Sequence, residues 1–326
     1  MNLPPFGRPP VELRIVDDGA RPGHWSGSEA DWRAFYDGLV DDIATHLWPR
    51  WDPAGRRWDG PAAAFAEEAT RLENAICIEH LQKPGVLQMV PATPGYAGGH
   101  PRQTHYWHYQ VEDNVNLQAP NPRTYAHAIG SSPVKGVVYY DESLDSDALP
   151  GIFQEMWENK YNGIFQTKLI FRRPRPQQTA FIFGQDFEHR QALANVHTGN
   201  HPAMISGHCA QGLLYMCTLI ERQLAAGRPL AEIRTHDYGQ YGVDFGDRRV
   251  FAGVHYPTDN IASWIAVIRL IPHVFGQNGP VLVDFVKNAI RTQSLLYRII
   301  RNTFPLHQPL SHALGFLDTE LPQNSA

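Results

Sequence analysis

The part of the chain where catalysis is expected begins with a cluster of basic residues. The stretch from Lys168 to Arg175 holds four basic residues in eight, although the whole chain of 326 residues carries a formal net charge of -5. Arg249 follows later in the sequence. An arginine fork binds pairs of anion oxygens through parallel hydrogen bonds, and a lysine adds a compact charge. Lys168, Arg175 and Arg249 are therefore predicted to bind a phosphate-like anion.

A serine and a glycine precede a predicted helix in the same region. Ser206 and Gly207 stand just before an apolar run over residues 209–224. The free amides and the dipole at a helix N-terminus bind anions, and a glycine lets the backbone approach closely. These two residues are expected to help hold the anion.

Two histidines and an aspartate complete the set. His255 can attack or ligate the central atom of an oxyanion, and His208 can carry a proton. Asp259 stands four residues after His255, where its carboxylate can bind the second ring nitrogen and fix the tautomer. This pattern favours an enzyme that acts on an oxyanion.

The three blocks read Lys-x6-Arg-Pro, Ser-Gly-His and Arg-x5-His-x3-Asp. In this order they resemble the soluble branch of the type 2 phosphatidic acid phosphatase superfamily, which contains bacterial acid phosphatases and vanadium-dependent haloperoxidases. The resemblance implies an all-α helical bundle with long loops. It also implies that His255 is the phosphate-accepting nucleophile or the vanadium ligand, that His208 is the acid and base, and that Asp259 orients His255. The implied oxyanion-binding residues are Lys168, Arg175, Ser206, Gly207 and Arg249.

Two positions depart from the family pattern. Ile205 stands where the family has proline, and Arg248 stands where it has serine. Neither change removes a chemical group, so an active site is still expected.

The resemblance leaves three functions open. The first is a phosphomonoesterase that needs no cofactor and hydrolyses a small phosphate ester through a phosphohistidine. The alternative is a haloperoxidase that uses vanadate, hydrogen peroxide and halide. An inactive relative that only binds an anion is the least favoured. The short spacing of the blocks and Phe165, where many haloperoxidases have tryptophan, favour the phosphatase. The pocket candidate His201 and the long N-terminal extension favour the haloperoxidase.

Composition narrows the partners and the location. The acidic net charge and the lack of a nucleotide-binding motif make a nucleic-acid partner a poor fit. The apolar stretch at residues 261–268 is too short for a membrane span, which needs about 20 residues. Three cysteines without zinc spacing and a start without an apolar signal region favour the cytoplasm. A homodimer is left open.

Helical periodicity dominates the rest of the chain. A capping box at Ser28–Asp31 predicts a helix that ends before Pro49, and a second helix is expected from Pro61. Further helices are predicted over 151–169, after Ser206, over 259–270 and over 281–304. Residues 137–140 are the best strand candidate. These elements predict one α-helical domain over 1–326, with an N-terminal extension over 28–150, a catalytic core over 151–304 and a loosely packed tail over 305–326.

Overall fold

The computed structural model describes residues 20–76, 155–161, 163–185, 202–235, 238–251 and 253–322. Over these ranges the chain is mostly helical, which confirms the coarse prediction of an all-α protein. The strand candidate at 137–140 lies outside the described residues. The α-helices and strands are, in chain order, α1 Glu29–His46, β1 Arg50–Asp52, β2 Arg57–Asp59, α2 Ala66–Ile76, α3 Thr167–Phe171, α4 Pro176–Phe183, α5 Gly207–Ala225, α6 Leu230–Ile233, α7 Tyr238–Phe251, α8 Pro257–Val274, α9 Gly279–Gln293, α10 Leu295–Thr303 and α11 Gln308–Glu320.

The predicted capping box begins α1. The Ser28 hydroxyl accepts from the Asp31 amide at 3.2 Å, and the Asp31 carboxylate accepts from the Ser28 amide at 2.8 Å. After α1 the chain forms a β1–β2 hairpin that the sequence analysis did not predict. The indole N–H groups of Trp48 and Trp58 both donate to the carbonyl oxygen of Phe171. These two hydrogen bonds attach the N-terminal region to the end of α3, within the basic block.

The helix predicted over 151–169 is wrong as a continuous element. A π-helical turn at Trp157–Tyr161 is separated from the helical segment after it by Gly163, whose φ is +91°. A Cβ on Gly163 would lie 2.5 Å from the Trp32 ring, so only glycine fits this close contact. The predicted helix is interrupted at this glycine, and α3 buries Lys168 in the protein interior.

Four helices form the centre of the fold. α5 packs against α7, α8 and α9, and α9 also packs against α7 and α8. Helix α8 is buried on nearly every side, as expected for a helix with apolar residues all round its surface. Gly212 of α5 allows close packing, because a Cβ there would lie 2.5 Å from Phe245 of α7. The thiols of Cys209 and Cys217 are buried on α5.

Two expectations for the C-terminal part are wrong. The predicted helix over 281–304 is two helices, α9 and α10, because Ser294 ends the first and caps the second by accepting from the Tyr297 amide at 3.0 Å. The segment after Pro305 is not loosely packed. Helix α11 buries Leu310 and Leu317 against α2 and α8, since one apolar face of this helix meets the core.

None of the helices that the structure describes combines the length and the apolar character needed to cross a bilayer. The apolar stretch at 261–268 belongs to α8 and lies in the protein core.

Candidate functional site

His255 and Asp259 meet at the start of α8. Tyr256 is the N-cap residue of this helix, Pro257 follows at its first position, and Asp259 lies in the first turn. The Asp259 Oδ2 atom accepts from the Tyr256 amide at 2.9 Å and lies 3.0 Å from Nδ1 of His255. The structure therefore contains the contact that the spacing of the two residues predicted.

The other ring nitrogen of His255 faces a cation. Its Nε2 lies 2.8 Å from a terminal guanidinium nitrogen of Arg175, which also donates to the Val254 carbonyl at 2.6 Å. Arginine can only donate, so Nε2 must accept and the ring proton must lie on Nδ1, where Asp259 binds it. The geometry thus assigns the tautomer, with the Nε2 lone pair on the side of the cations.

Burial and charge both act on this imidazole. His255 is buried, and burial lowers its pKa well below the ordinary value. The positive charges of Arg175 and Lys168 lower the pKa further. His255 is therefore neutral at pH 7, and a neutral imidazole is the form that can act as a nucleophile or a ligand.

Lys168 holds a turn of the backbone, a role that the sequence did not reveal. Its ammonium donates to the carbonyl oxygens of Pro202, Ala203 and Ile205 at 2.7, 3.2 and 2.6 Å. An ammonium has three N–H groups, and these three bonds hold the turn that leads into α5. Burial lowers the pKa of Lys168 well below its usual value, and the neighbouring Arg175 charge acts in the same direction.

The turn held by Lys168 leads directly into the Ser206–His208 block. Ser206 is the N-cap of α5, and its hydroxyl accepts from the Cys209 amide at 3.4 Å. Gly207 and His208 occupy the first turn of this helix, and both are buried. The charged form of His208 would lower the pKa of His255, so the two imidazoles lie within electrostatic range of each other. His208, in the first turn of α5, therefore lies in the neighbourhood of His255.

Arg249 comes from the last turns of α7. Its side chain is fully buried, and its charge lowers the pKa of both Lys168 and His255. Its carbonyl oxygen accepts from the amides of Val254 and His255 at 3.1 and 3.2 Å. The end of α7 thus fixes the position of the backbone that carries His255.

Two residues of the site were not predicted. Arg173 and Glu73 are buried and form an ion pair, with 2.9 Å between nitrogen and oxygen, and Arg173 also pairs with Asp259 at 2.8 Å. The crowding of arginines before Pro174 and Pro176 was a signal for Arg173, but Glu73 belongs to a distant amphipathic helix. Its neighbours on that helix are also acidic, so its type and spacing do not set it apart.

Some predicted positions fall outside this description. His201 lies outside the described residues, and so do the side chains of Phe165 and Arg248. Ile205, which departs from the family pattern, contributes a carbonyl oxygen to Lys168. That carbonyl is available in any residue type, so this contact does not depend on the departure.

Comparisons of the chain with protein-family models, with curated proteins and with solved structures found no match. The chemistry of the assembled side chains is therefore the basis for inferring a function. They provide an anion-attracting interior, a neutral imidazole with a directed lone pair and a second imidazole close to it.

Proposed function

We propose that the protein is a phosphomonoesterase that transfers a phosphoryl group to His255. The observation that carries the proposal is the 2.8 Å contact between buried Arg175 and Nε2 of this imidazole. Burial lowers the pKa of His255, and repulsion from the charges of Arg175, Lys168 and Arg249 lowers it further. An oxyanion bound among them would relieve this repulsion. Because the cations are already in place, they would also stabilise charge that develops in a transition state.

The first step follows from the direction of the lone pair. When a phosphate ester binds, the Arg175 N–H that bonds Nε2 can turn to a phosphate oxygen and free the lone pair. Nε2 of His255 attacks phosphorus, and an N–P bond forms as the P–O bond to the alcohol breaks. His208 gives its proton to the leaving oxygen.

The second step regenerates the enzyme. Water attacks phosphorus, the N–P bond breaks, and His208 takes the proton of the attacking water. Inorganic phosphate then leaves, and Arg175 can return to Nε2. Asp259 stabilises the positive charge on the His255 ring in both steps, because its carboxylate holds the Nδ1 proton throughout.

The placement of the motifs supports the proposed relation to the type 2 phosphatidic acid phosphatase superfamily. The Ser206–His208 block begins α5, Arg249 ends α7, and His255 begins the entry into α8. These three helices pack together in the centre of the fold. A helical bundle of the acid phosphatase and haloperoxidase type would bring the same blocks together. The cytoplasmic location and the homodimer stay predictions from the sequence.

The vanadium-dependent haloperoxidase is the second candidate, and one observation favours it. The N-terminal region contributes Glu73 to the surroundings of Asp259, so the long extension is part of the site. The site also fits vanadate, because His255 offers a lone pair from Nε2 and the cations of Lys168, Arg175 and Arg249 suit an oxyanion. Bound vanadate would activate hydrogen peroxide for the oxidation of halide.

One pair of assays separates these candidates. The purified protein would be tested for hydrolysis of p-nitrophenyl phosphate, and for bromination of a dye with vanadate, hydrogen peroxide and bromide. We expect hydrolysis that orthovanadate inhibits competitively, and loss of hydrolysis in His255→Gln. Bromination without hydrolysis would replace the phosphatase by the haloperoxidase. Calorimetric binding of vanadate with neither activity would identify an inactive anion-binding relative.

A further inference from the structure

Glu73 of α2 reaches the site from a distant part of the sequence. Its side chain is 1% exposed. Oε1 accepts from the Thr258 amide at 2.6 Å, and Oε2 accepts from the Thr258 hydroxyl at 2.9 Å. Oε2 also accepts from Arg173 at 2.9 Å. Thr258 adjoins Asp259 in the first turn of α8, so the carboxylate of Glu73 is fixed against the start of this helix.

Arg173 joins Glu73 to Asp259. One terminal nitrogen donates to Glu73, and the other donates to Oδ1 of Asp259 at 2.8 Å and to the Thr258 hydroxyl at 2.6 Å. The guanidinium also lies 3.8 Å from the centre of the Tyr256 ring. A planar guanidinium held at both nitrogens and on its face has one orientation.

This arrangement decides which oxygen of Asp259 serves His255. Arg173 occupies Oδ1, and Oδ2 receives Nδ1 of His255 and the Tyr256 amide. If Arg173 bound only Asp259, its full charge would draw electron density from that carboxylate and weaken the bond to His255. Glu73 shares the charge of Arg173, so Asp259 remains a strong acceptor.

We propose that Glu73 is a positioning residue for His255 and acts through Arg173 and Asp259. Glu73 holds the guanidinium at a fixed distance from Asp259, and it thereby keeps the His255 proton on Nδ1 and the lone pair on Nε2. This inference rests on the proposed role of His255 as the nucleophile. Under this proposal, α2 of the N-terminal region contributes a functional residue to the site.

The test compares Glu73→Gln with Glu68→Gln. Both residues lie on α2, but Glu68 is exposed and serves as the matched control. Glu73→Gln removes the charge that Arg173 pairs with, and its amide nitrogen must meet a donor, either Arg173 or the Thr258 amide, so the contacts that fix the guanidinium are weakened. We expect kcat for p-nitrophenyl phosphate to fall roughly 10-fold, the lower end of the range for such outer partners, with KM and inhibition by vanadate unchanged. Glu68→Gln should behave as wild type.

A second readout does not need turnover. In protein labelled with 15N-histidine, the His255 signals can be assigned by their loss in His255→Gln. We expect the wild type to carry the proton on Nδ1, and Glu73→Gln to show a mixture with the Nε2–H tautomer. If the wild type lacks phosphatase activity but the tautomer still changes, the positioning role stands and the proposed function fails. If the wild type is active and neither kcat nor the tautomer changes, the positioning role is overturned.

General damage to the site gives a different pattern from a loss of positioning. Equal losses of kcat and of vanadate binding in Glu73→Gln would indicate general damage to the site and would also contradict the proposal. If this variant does not fold, Glu73→Asp keeps the charge but shortens the reach to Arg173. We then expect a several-fold loss of kcat with KM retained, and an unchanged kcat would overturn the proposal.

Discussion

The two ring nitrogens of His255 face opposite kinds of surroundings. On the aspartate side, defined by Asp259, Arg173 and Glu73, charges alternate in sign and bind one another directly. On the cation side, defined by Lys168, Arg175 and Arg249, like charges are crowded, and the described bonds of Lys168 go to carbonyl oxygens. The charges of the aspartate side pair with one another within the protein, whereas the cation side would gain from the anion proposed above.

The two sides therefore have different roles in the proposed site: the aspartate side orients His255, and the cation side binds the anion. A buried network of alternating charges with good geometry fixes positions, because each group has one best partner. Buried cations close to one another raise the free energy of the folded protein, and an anion that binds there lowers it again. Changes on the aspartate side should therefore alter turnover, and changes on the cation side should alter anion affinity.

The largest effect is expected where the two sides meet. His255→Ala removes the ring that joins them, so turnover should fall by at least about 10³, which corresponds to about 4 kcal/mol of transition-state stabilisation. Steady-state hydrolysis of p-nitrophenyl phosphate measures this loss. His24→Ala, at an exposed histidine, should leave the rate unchanged. Near-normal turnover of His255→Ala would remove the proposed mechanism.

A change on the cation side should weaken binding. Arg175→Ala loses charge-assisted hydrogen bonds to the anion, so phosphate and vanadate should both bind roughly 10- to 100-fold more weakly. Arg175→Lys should recover part of this affinity, because it restores the charge without the fork.

Isothermal titration calorimetry with both anions provides the measurement for Arg175. Arg172→Gln is the control, since Arg172 belongs to the same basic block but bonds to the carbonyl of Leu169. Independent changes in the two affinities would contradict a shared anion site.

A change on the aspartate side should leave affinity intact. Asp259→Asn should lower turnover roughly 10- to 100-fold, because the amide cannot stabilise a positive charge on His255. The same change takes one of two carboxylates from buried Arg173, so the free energy of unfolding should fall by roughly 3 kcal/mol. Kinetics, vanadate titration and urea unfolding on the same preparation separate these effects.

Asp247→Asn provides the matched comparison for Asp259→Asn. Asp247 is also a buried carboxylate, but it accepts from the Ser294 hydroxyl and the Leu296 amide at the start of α10. Its replacement should lower stability without the loss of turnover. Equal losses of turnover in both variants would show that Asp259 has no special relation to His255.

The smallest effect concerns pH. The folded pKa of His255 lies below its unfolded value of about 6.5, so the unfolded chain takes up the proton first as the pH falls. Stability is therefore lost as the pH drops below about 6.5 towards the folded pKa, by at most about 1.4 kcal/mol per pH unit from this group. Urea unfolding of the wild type and of His255→Gln at pH 7.5 and 5.5 measures the difference.

A bound anion should change the pH dependence of stability in the wild type, which adds a second test of the environment of His255. Saturating phosphate should reduce the extra loss in the wild type, because a bound anion opposes the cations that disfavour protonated His255. His255→Gln should show a smaller loss between the two pH values with or without phosphate. The same pH dependence in both proteins would contradict the assigned environment of the ring.

Local sequence rules predicted what depends on neighbouring residues. The capping box of α1 and the contact between His255 and Asp259 each involve residues within four positions. The rules missed α7, because its glycines lower helix propensity, and close packing on α5 explains only Gly242 and Gly246 among them. They also joined α9 to α10, since both helices carry a strong apolar face and only Ser294 separates them.

The same limit applies to the site: spacing predicts contacts between neighbours in the sequence, but it does not predict contacts between distant segments. The basic block singled out Lys168 as a candidate site residue, but its bonds to the turn at 202–205 depend on how α3 meets α5. Glu73 gave no signal at all, because its position beside Thr258 follows from the packing of whole elements. A carboxylate on an amphipathic helix has the same sequence signature whether it lies in water or in an ion-pair network.

The bond between Glu73 and Thr258 joins residues that are 185 positions apart in the sequence. During synthesis at about 5–20 residues per second, α2 is made roughly 10 to 40 s before the first turn of α8. Until then the carboxylate of Glu73 must stay in water, because burial without Arg173 and the Thr258 amide would leave a charge without compensation. The start of α2 can form early, but its docking must wait for α8. The N-terminal region of this chain is therefore made first and takes its final place late.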